Sequence, residues 1–343
     1  MNELRKIDHV FYRNLKKQYP IIVRAKGVYL FDDAGNQYLD FGAGIGVVNI
    51  GYCVPEINDA MAAQAEKTSF VYSSPFTTDA QIRLSKKIID MSPEGMSKVL
   101  LASGGSMAME SAIKLARQYH IERGNDSKHK IIARWTSYHG NTIGALSASG
   151  RSSWRAYFEP YLLNFPHIQP PYCYRCPFGK EYPSCGVTCA LELERVIRFE
   201  GPKNISAFIA EPIIGTSAPG VTPPPEYYQI IREICDKYDV LFISDEVITG
   251  FGRTGKNFGI ENYNTQPDMI VSGKGIGGGY TPLAAVTVSH GVFEAFERGS
   301  GSHTQGYTYS GNPLSAAVGL AVLEYIEKNG LVARVAEMGG YLK

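Results

Sequence analysis

An α/β fold, with a mostly parallel sheet covered by helices on both faces, is what this sequence predicts. From about residue 55 onward, helix-period stretches alternate with short apolar runs, the pattern of a parallel sheet buried on both sides. Two of those runs, 240–244 and 269–272, lead into a charged residue or a glycine-rich loop, as strands do at the carboxyl edge of such a sheet. The chain has 343 residues, 44% of them hydrophobic, and a net charge of +1. It can bury a large core, and it has no basic surplus for a phosphate polymer.

Taken in order, residues 1–20 read as a polar and aromatic amphipathic helix. Residues 28–31 and 38–40 flank Asp32-Asp33-Ala34-Gly35-Asn36, so they read as a hairpin with a glycine-bearing turn. Phe41-Gly42-Ala43-Gly44-Ile45-Gly46 is too rich in glycine for either regular element. The strands are expected at 98–101, 130–133, 205–210, 240–244, 269–272 and 284–288, and the helices at 78–90, 108–122, 225–238 and 313–328. The stretch 151–190, rich in Pro, Tyr and Cys, has little periodicity and reads as an insertion. The organisation that follows is an amino-terminal segment over 1–54, a large domain over 55–320 and a linker helix over 321–343. Residues 332–343 stop mid-pattern without a capping signal, so the chain is expected to be a fragment.

Six cysteines are too few for a disulfide scaffold. Four of them, Cys173, Cys176, Cys185 and Cys189, have the spacing of a structural zinc knuckle. The same spacing suits a surface loop of free or oxidised thiols, and no metal is assigned from it. Cys53 and Cys235 sit in apolar or helical patterns and read as core fillers. No apolar run reaches membrane-spanning length and the amino terminus has no targeting pattern, so a cytoplasmic location is expected.

The chemistry centres on Lys274. An apolar strand delivers this one lysine into Gly273-Lys274-Gly275-Ile276-Gly277-Gly278-Gly279, where glycine leaves room for a bulky group to approach the amine. A lysine that attacks a carbonyl must be desolvated enough to lose its proton and open enough to admit its partner. A second apolar run ends in Asp245. A lysine and an aspartate at the carboxyl ends of two strands point to a Schiff base with pyridoxal phosphate, the carboxylate keeping the pyridine nitrogen protonated. Gly104-Gly105-Ser106 feeds a helix whose free N–H groups and dipole suit a phosphate. On its own, such a turn is more often a plain N-cap. Tyr138 could stack on a planar ring, His139 follows it, and Glu211 ends the run 205–210; each would also fit an ordinary core-edge or ion-pair role.

In this order, these residues resemble the class III (ornithine/ω-amino acid type) pyridoxal-phosphate aminotransferases of fold type I, over nearly the whole chain. The most specific part is Asp245-Glu246-Val247-Ile248-Thr249-Gly250-Phe251-Gly252-Arg253-Thr254-Gly255. Further parts are Ala102-Ser103-Gly104-Gly105-Ser106, Tyr138-His139-Gly140, Glu211-Pro212 and Thr308-Tyr309-Ser310-Gly311-Asn312-Pro313. The resemblance implies a seven-stranded sheet, a carboxy-terminal small domain that this chain lacks, and a homodimer. It implies that Lys274 is the Schiff-base lysine and proton shuttle, that Asp245 partners the ring nitrogen, and that Gly105 and Ser106 hold the phosphate. Tyr138 would stack on the ring, Val247 would pack its other face, and Glu211 would stand beside it with His139. Thr308 would reach the phosphate in the neighbouring subunit. Ile248 and Thr216 stand where relatives acting on ornithine or 4-aminobutyrate carry Gln and Glu, which resembles the ω-amino acid or amine:pyruvate branch. The expected partners are therefore an amino donor and an oxo acid such as pyruvate or 2-oxoglutarate. An aminomutase, racemase or decarboxylase would share the fold. A metal-binding interaction protein built on the cysteine cluster is the alternative of another class. A nicotinamide dehydrogenase lacks its Gly-x-Gly-x-x-Gly opening.

Overall fold

The computed structural model describes residues 7–343. Two sheets are present among them. The first is a small antiparallel one, in the order β1 (Ile22–Lys26), β2 (Tyr29–Asp32), β3 (Gln37–Leu39). Its β2–β3 turn is the predicted hairpin turn. Asp32 Oδ1 accepts from the N–H of Ala34 and of Asn36 at 3.0 and 2.8 Å, and Gly35 takes the left-handed conformation the turn requires.

The second sheet has seven strands: β4 (Met96–Ala102), β5 (Lys130–Arg134), β6 (His167–Ile168), β7 (Ile205–Ala210), β8 (Leu241–Asp245), β9 (Met269–Ser272) and β10 (Ala284–Ser289). Their spatial order is β4-β10-β9-β8-β7-β5-β6, and every neighbouring pair is parallel except the two that β10 makes with β4 and β9. Alternate side chains feed two cores. Phe208, Phe242 and Ile270 point into one, with Leu84, Ile88, Tyr228 and Leu323. Ile209, Ile243 and Val271 point into the other, with Met109, Ala112 and Leu115. A period of two with both faces buried is why these runs read as continuously apolar.

The six expected strands are all present within two residues of their expected ends. The expected helices appear as Asp79–Met91, Gly105–Glu122, Tyr227–Tyr238 and Pro313–Lys328. The second begins three residues early because Gly105, Ser106 and Met107 carry no apolar period yet supply its first free N–H groups. Helices over Pro55–Lys67, Thr188–Glu200 and His290–Arg298 lie beyond those expected, and the linker helix expected over 321–343 is broken into the end of Pro313–Lys328 and a separate helix, Leu331–Leu342. The segment 151–190 is also more than an insertion, since it contributes the edge strand β6, which pairs in parallel with β5.

The amphipathic helix expected over 1–20 is corrected for its described part. Residues 7–20 form no helix, and 1–6 lie outside the described residues. Ile7, Val10, Phe11 and Leu15 are all exposed, so this stretch has no apolar stripe buried against the body, and an unpacked helix of that length is marginal in water. At 41–46 the glycine-rich strip makes a left-handed turn, with positive φ at Gly44 and Ile45. No helix among the described residues is long and apolar enough to cross a membrane.

Candidate active site

Five strand ends converge on one cavity of about 250 Å³. Gly105 and Ser106 follow β4, Tyr138 and His139 follow β5, and Glu211 follows β7; Asp245 closes β8, and Lys274 lies just past β9. Val247, Ile248, Ile213, Thr216 and Gly140 complete the lining. Because β4, β5, β7, β8 and β9 run the same way, their carboxyl ends share one rim of the sheet.

Lys274 is half-buried and holds a left-handed backbone, φ 45°. That conformation costs a non-glycine residue energy and persists only where the surroundings impose it, which is common in functional loops. Burial pushes its amine below the ordinary 10.5, while Asp245 and Glu211 pull it back up. The lysine therefore gives up its proton more readily than an exposed one, yet still faces two acids.

Asp245 is buried, and its two oxygens are both engaged. Oδ1 accepts from the Val247 N–H at 3.1 Å, and Oδ2 lies 2.7 Å from His139 Nδ1. The His139 main-chain N–H donates to Ser149 Oγ at 2.8 Å, whereas its Nε2 is buried without a partner. Glu211 is buried as well; Oε1 accepts from the Tyr138 N–H at 3.0 Å and Oε2 from the Gly215 N–H at 3.2 Å. Burial pushes its carboxyl pKa up. Glu211 thus fixes the backbone of Tyr138.

The glycines keep space open where an extended group would enter. A Cβ on Gly105 would lie 3.2 Å from Val247 Cγ1. One on Gly140 would lie 2.7 Å from Ser106 Oγ, at a φ of +142° that side chains rarely adopt. Ser106 Oγ itself accepts from the Asn141 N–H at 3.0 Å. Behind Gly105 stretches an 18-residue helix, Gly105–Glu122, whose first N–H groups face the cavity end. The slot therefore has a helix amino terminus at Gly105–Ser106, an acid at Asp245, an aromatic wall at Tyr138 and a desolvated amine at Lys274. These residues fit pyridoxal phosphate: a dianion, a basic ring nitrogen, a flat ring and an aldehyde each find a complementary group.

Of the nine site residues taken from the sequence, eight line this cavity. Thr308 does not; it is exposed and sits outside the lining. Three residues that shape the site were not singled out. Arg134 is wholly buried at the end of β5 and donates to the Glu211 carbonyl, as does the Tyr228 hydroxyl. Glu246 is buried beside Asp245 and accepts from the N–H groups of Gly259 and Ile260 at 2.8 Å, tying down the loop after β8; burial pushes its pKa up to about 7. Trp154 packs edge-on against Tyr138. Arg134 and Glu246 were detectable as charges embedded in apolar runs; nothing local marks Trp154.

The four clustered cysteines line a small cavity of about 20 Å³, away from this site. They are free thiols, and no group of three His, Cys, Asp or Glu among the described residues is gathered to hold a metal ion. Burial first, then the neighbouring sulfurs, pushes Cys189 up to about 12.

The family profile for class-III aminotransferases matches residues 11–343. A diaminobutyrate–2-oxoglutarate transaminase of Halomonas elongata is 39% identical over 335 residues, covering 94% of this chain and 70% of that protein. A putrescine–pyruvate aminotransferase of Pseudomonas aeruginosa is 38% identical over 336 residues, covering 97% and 73%. Among solved structures, an (S)-enantioselective omega-transaminase from Thermomicrobium roseum superposes with a TM-score of 0.92 at 36% identity, covering 98% of this chain and 76% of that one.

Proposed function

Since the chain belongs to the class-III aminotransferases, a family that depends on pyridoxal phosphate, we propose that it moves an amino group from an ω-amino acid or amine to an oxo acid such as pyruvate or 2-oxoglutarate. The observation that carries the reading is that Lys274 and Asp245, at the ends of adjacent strands, face one cavity. Relatives named for a diamine donor or an amino acid that bears a second amine support the donor class.

Bound pyridoxal phosphate supplies the electron sink that lets a proton leave the donor's amine-bearing carbon. This chain's residues do the rest. Gly105 and Ser106 would hold the phosphate with main-chain N–H groups and a hydroxyl at the helix amino terminus. The Asp245 carboxylate, kept in place by His139 and the Val247 N–H, would keep a ring nitrogen protonated. Tyr138 and Val247, both on the cavity lining, would hold the ring with an aromatic and a β-branched side chain. Lys274 Nζ would be the base that moves the proton at the donor carbon, and its lowered pKa leaves it neutral for that task over a wider pH range. Glu211 orients Tyr138 through its main-chain N–H. The minimal active unit in this reading is a homodimer in which Thr308 reaches the neighbouring subunit's cofactor. Its exposed position is compatible with that role.

A donor-by-acceptor activity panel tests the proposal. Released oxo compound from an amine or ω-amino acid, with stoichiometric amination of pyruvate or 2-oxoglutarate, is the expected result. A rearranged, racemised or decarboxylated product without net amino transfer would replace it with the same-fold alternatives.

A further inference from the structure

The loop that carries Lys274 is held by a segment of the chain with no part in the chemistry above. Residues 46–54, which follow the small antiparallel sheet, lie along residues 275–280. At one end, Asn49 Nδ2 donates to the Gly275 carbonyl at 3.1 Å. At the other, the Tyr280 hydroxyl donates to the Gly51 carbonyl at 3.1 Å and accepts from the Val54 N–H at 2.7 Å. Between these ends the two stretches touch. A Cβ on Gly275 would lie 2.8 Å from Asn49 Nδ2, and one on Gly279 would lie 3.1 Å from Val48 Cγ2. These two glycines therefore make room for another part of this same chain.

Asn49 acts right beside the reacting amine. Gly275 directly follows Lys274, whose φ of 45° is costly for a residue with a side chain. One hydrogen bond is comparable in size with such strain, so a hold on the next carbonyl can decide the conformation. Asn49 Oδ1 is buried without a partner, which is itself a cost. Leucine would fill similar space without that orphan, so what asparagine adds at 49 is its N–H donor. The same segment also fixes a charge, since Arg253 Nη2 donates to the Gly46 carbonyl at 3.1 Å. Burial lowers the Lys274 pKa most; Asp245 and Glu211 raise it, and Arg253 lowers it further. Asn49, Gly275 and Arg253 all line a cavity of about 90 Å³ that meets the site cavity at Ile248, a residue of both linings.

We propose that Asn49 is a positioning residue for Lys274: by holding the Gly275 carbonyl, it keeps the lysine's backbone left-handed and its amine in the cavity. Asn49 touches no reacting atom in this account and acts only through the loop. The inference rests on the aminotransferase reading for its effect on rate, and on the loop geometry alone for its effect on the amine.

The test reads the Lys274 amine in the full chain freed of pyridoxal phosphate. Trace acetylation with acetic anhydride between about pH 6 and 11, with mass spectrometry of the Lys274 peptide, gives its titration curve. Wild type, N49A, N49L and Y280F are compared, with melting curves and, in the holoenzyme, kcat and KM for a donor that wild type turns over. In N49A and N49L the amine should lose its shielded place and titrate closer to the ordinary 10.5. Labelling near neutral pH, relative to its high-pH plateau, should then fall about fivefold, and kcat about tenfold with donor KM within about twofold. Y280F loosens the same contact at its far end, so it should lower the melting midpoint and leave the labelling curve unchanged. Should N49A not fold, N49L, of similar volume, carries the comparison. Relative labelling within about twofold of wild type in a folded Asn49 variant would overturn the inference. So would a Y280F shift as large as that of N49A, or failure of both Asn49 variants to fold, since either assigns residue 49 to the scaffold. A wild type that transfers no amino group from any donor would instead overturn the aminotransferase reading, and the labelling result would be unaffected.

Discussion

Two cavities flank the same sheet, and the proposed site is the smaller. On the side of β4 and β10, a cavity of about 390 Å³ is lined mainly by Val99, Leu100, Leu115, Val292, Phe293 and Phe296. The other, about 250 Å³, gathers a lysine, two carboxylates and a histidine at the carboxyl ends of the strands. The smaller cavity is distinguished by titratable groups that perturb one another, an unpartnered His139 Nε2 and a backbone held at positive φ. In the larger, Leu115, Val292 and Phe296 belong to the core on that face of the sheet, and Leu100 and Phe293 pack against it. In this account, substitutions in one cavity change chemistry and those in the other change stability.

The sharpest way to break that division is Lys274→Ala. Turnover should fall by at least about 10³-fold while the thermal midpoint stays near wild type, because the variant removes the proton-transferring amine and relieves a desolvation cost. Steady-state rates beside a melting curve decide it. Asp245→Asn follows, with an expected loss of about 10²- to 10³-fold in kcat, since a neutral amide no longer stabilises a charged ring nitrogen. Activity within a few-fold of wild type would remove the acid from the mechanism. In the apolar cavity, Leu115→Ala should cost about 2–5 kcal/mol of stability by denaturant titration, with kcat per folded molecule unchanged. A specific loss of kcat there would dissolve the contrast.

Smaller effects sharpen the comparison further. Gly140→Ala would drive a Cβ against Ser106 Oγ and the Ala145 Cβ. It should weaken pyridoxal phosphate binding by about tenfold, roughly 1.4 kcal/mol, in a fluorescence titration. One pH effect on stability belongs to the scaffold. Burial pushes the His120 pKa down from 6.5 to about 4. The unfolded chain then binds the extra proton first, so the stability this group contributes is present above pH 6.5 and is lost as pH falls toward 4. Melting curves across that window should show the decline in both wild type and Lys274→Ala.

The sheet was legible because β7, β8 and β9 bury both faces and so leave uninterrupted apolar runs of strand length. Lys274 and Asp245 were legible for the complementary reason: a charge that ends such a run has no structural use in the core. β6 was not, because two residues, His167 and Ile168, carry no period at all. The misread helix over 1–20 had a plausible apolar spacing, but whether a surface helix forms depends on what it packs against, and that is absent from local sequence. Trp154 escaped for a related reason. Its place beside Tyr138, under Arg13 and Arg151, is created by segments that meet only once the chain has folded.

The central claim is that one amine, at residue 274, is where the cofactor attaches. Incubation with pyridoxal phosphate, borohydride reduction and peptide mass spectrometry tests it directly. The account predicts a single phosphopyridoxyl adduct, on Lys274, that is lost in Lys274→Ala. A dominant adduct on any other lysine, or no stable adduct in an active enzyme, would contradict it.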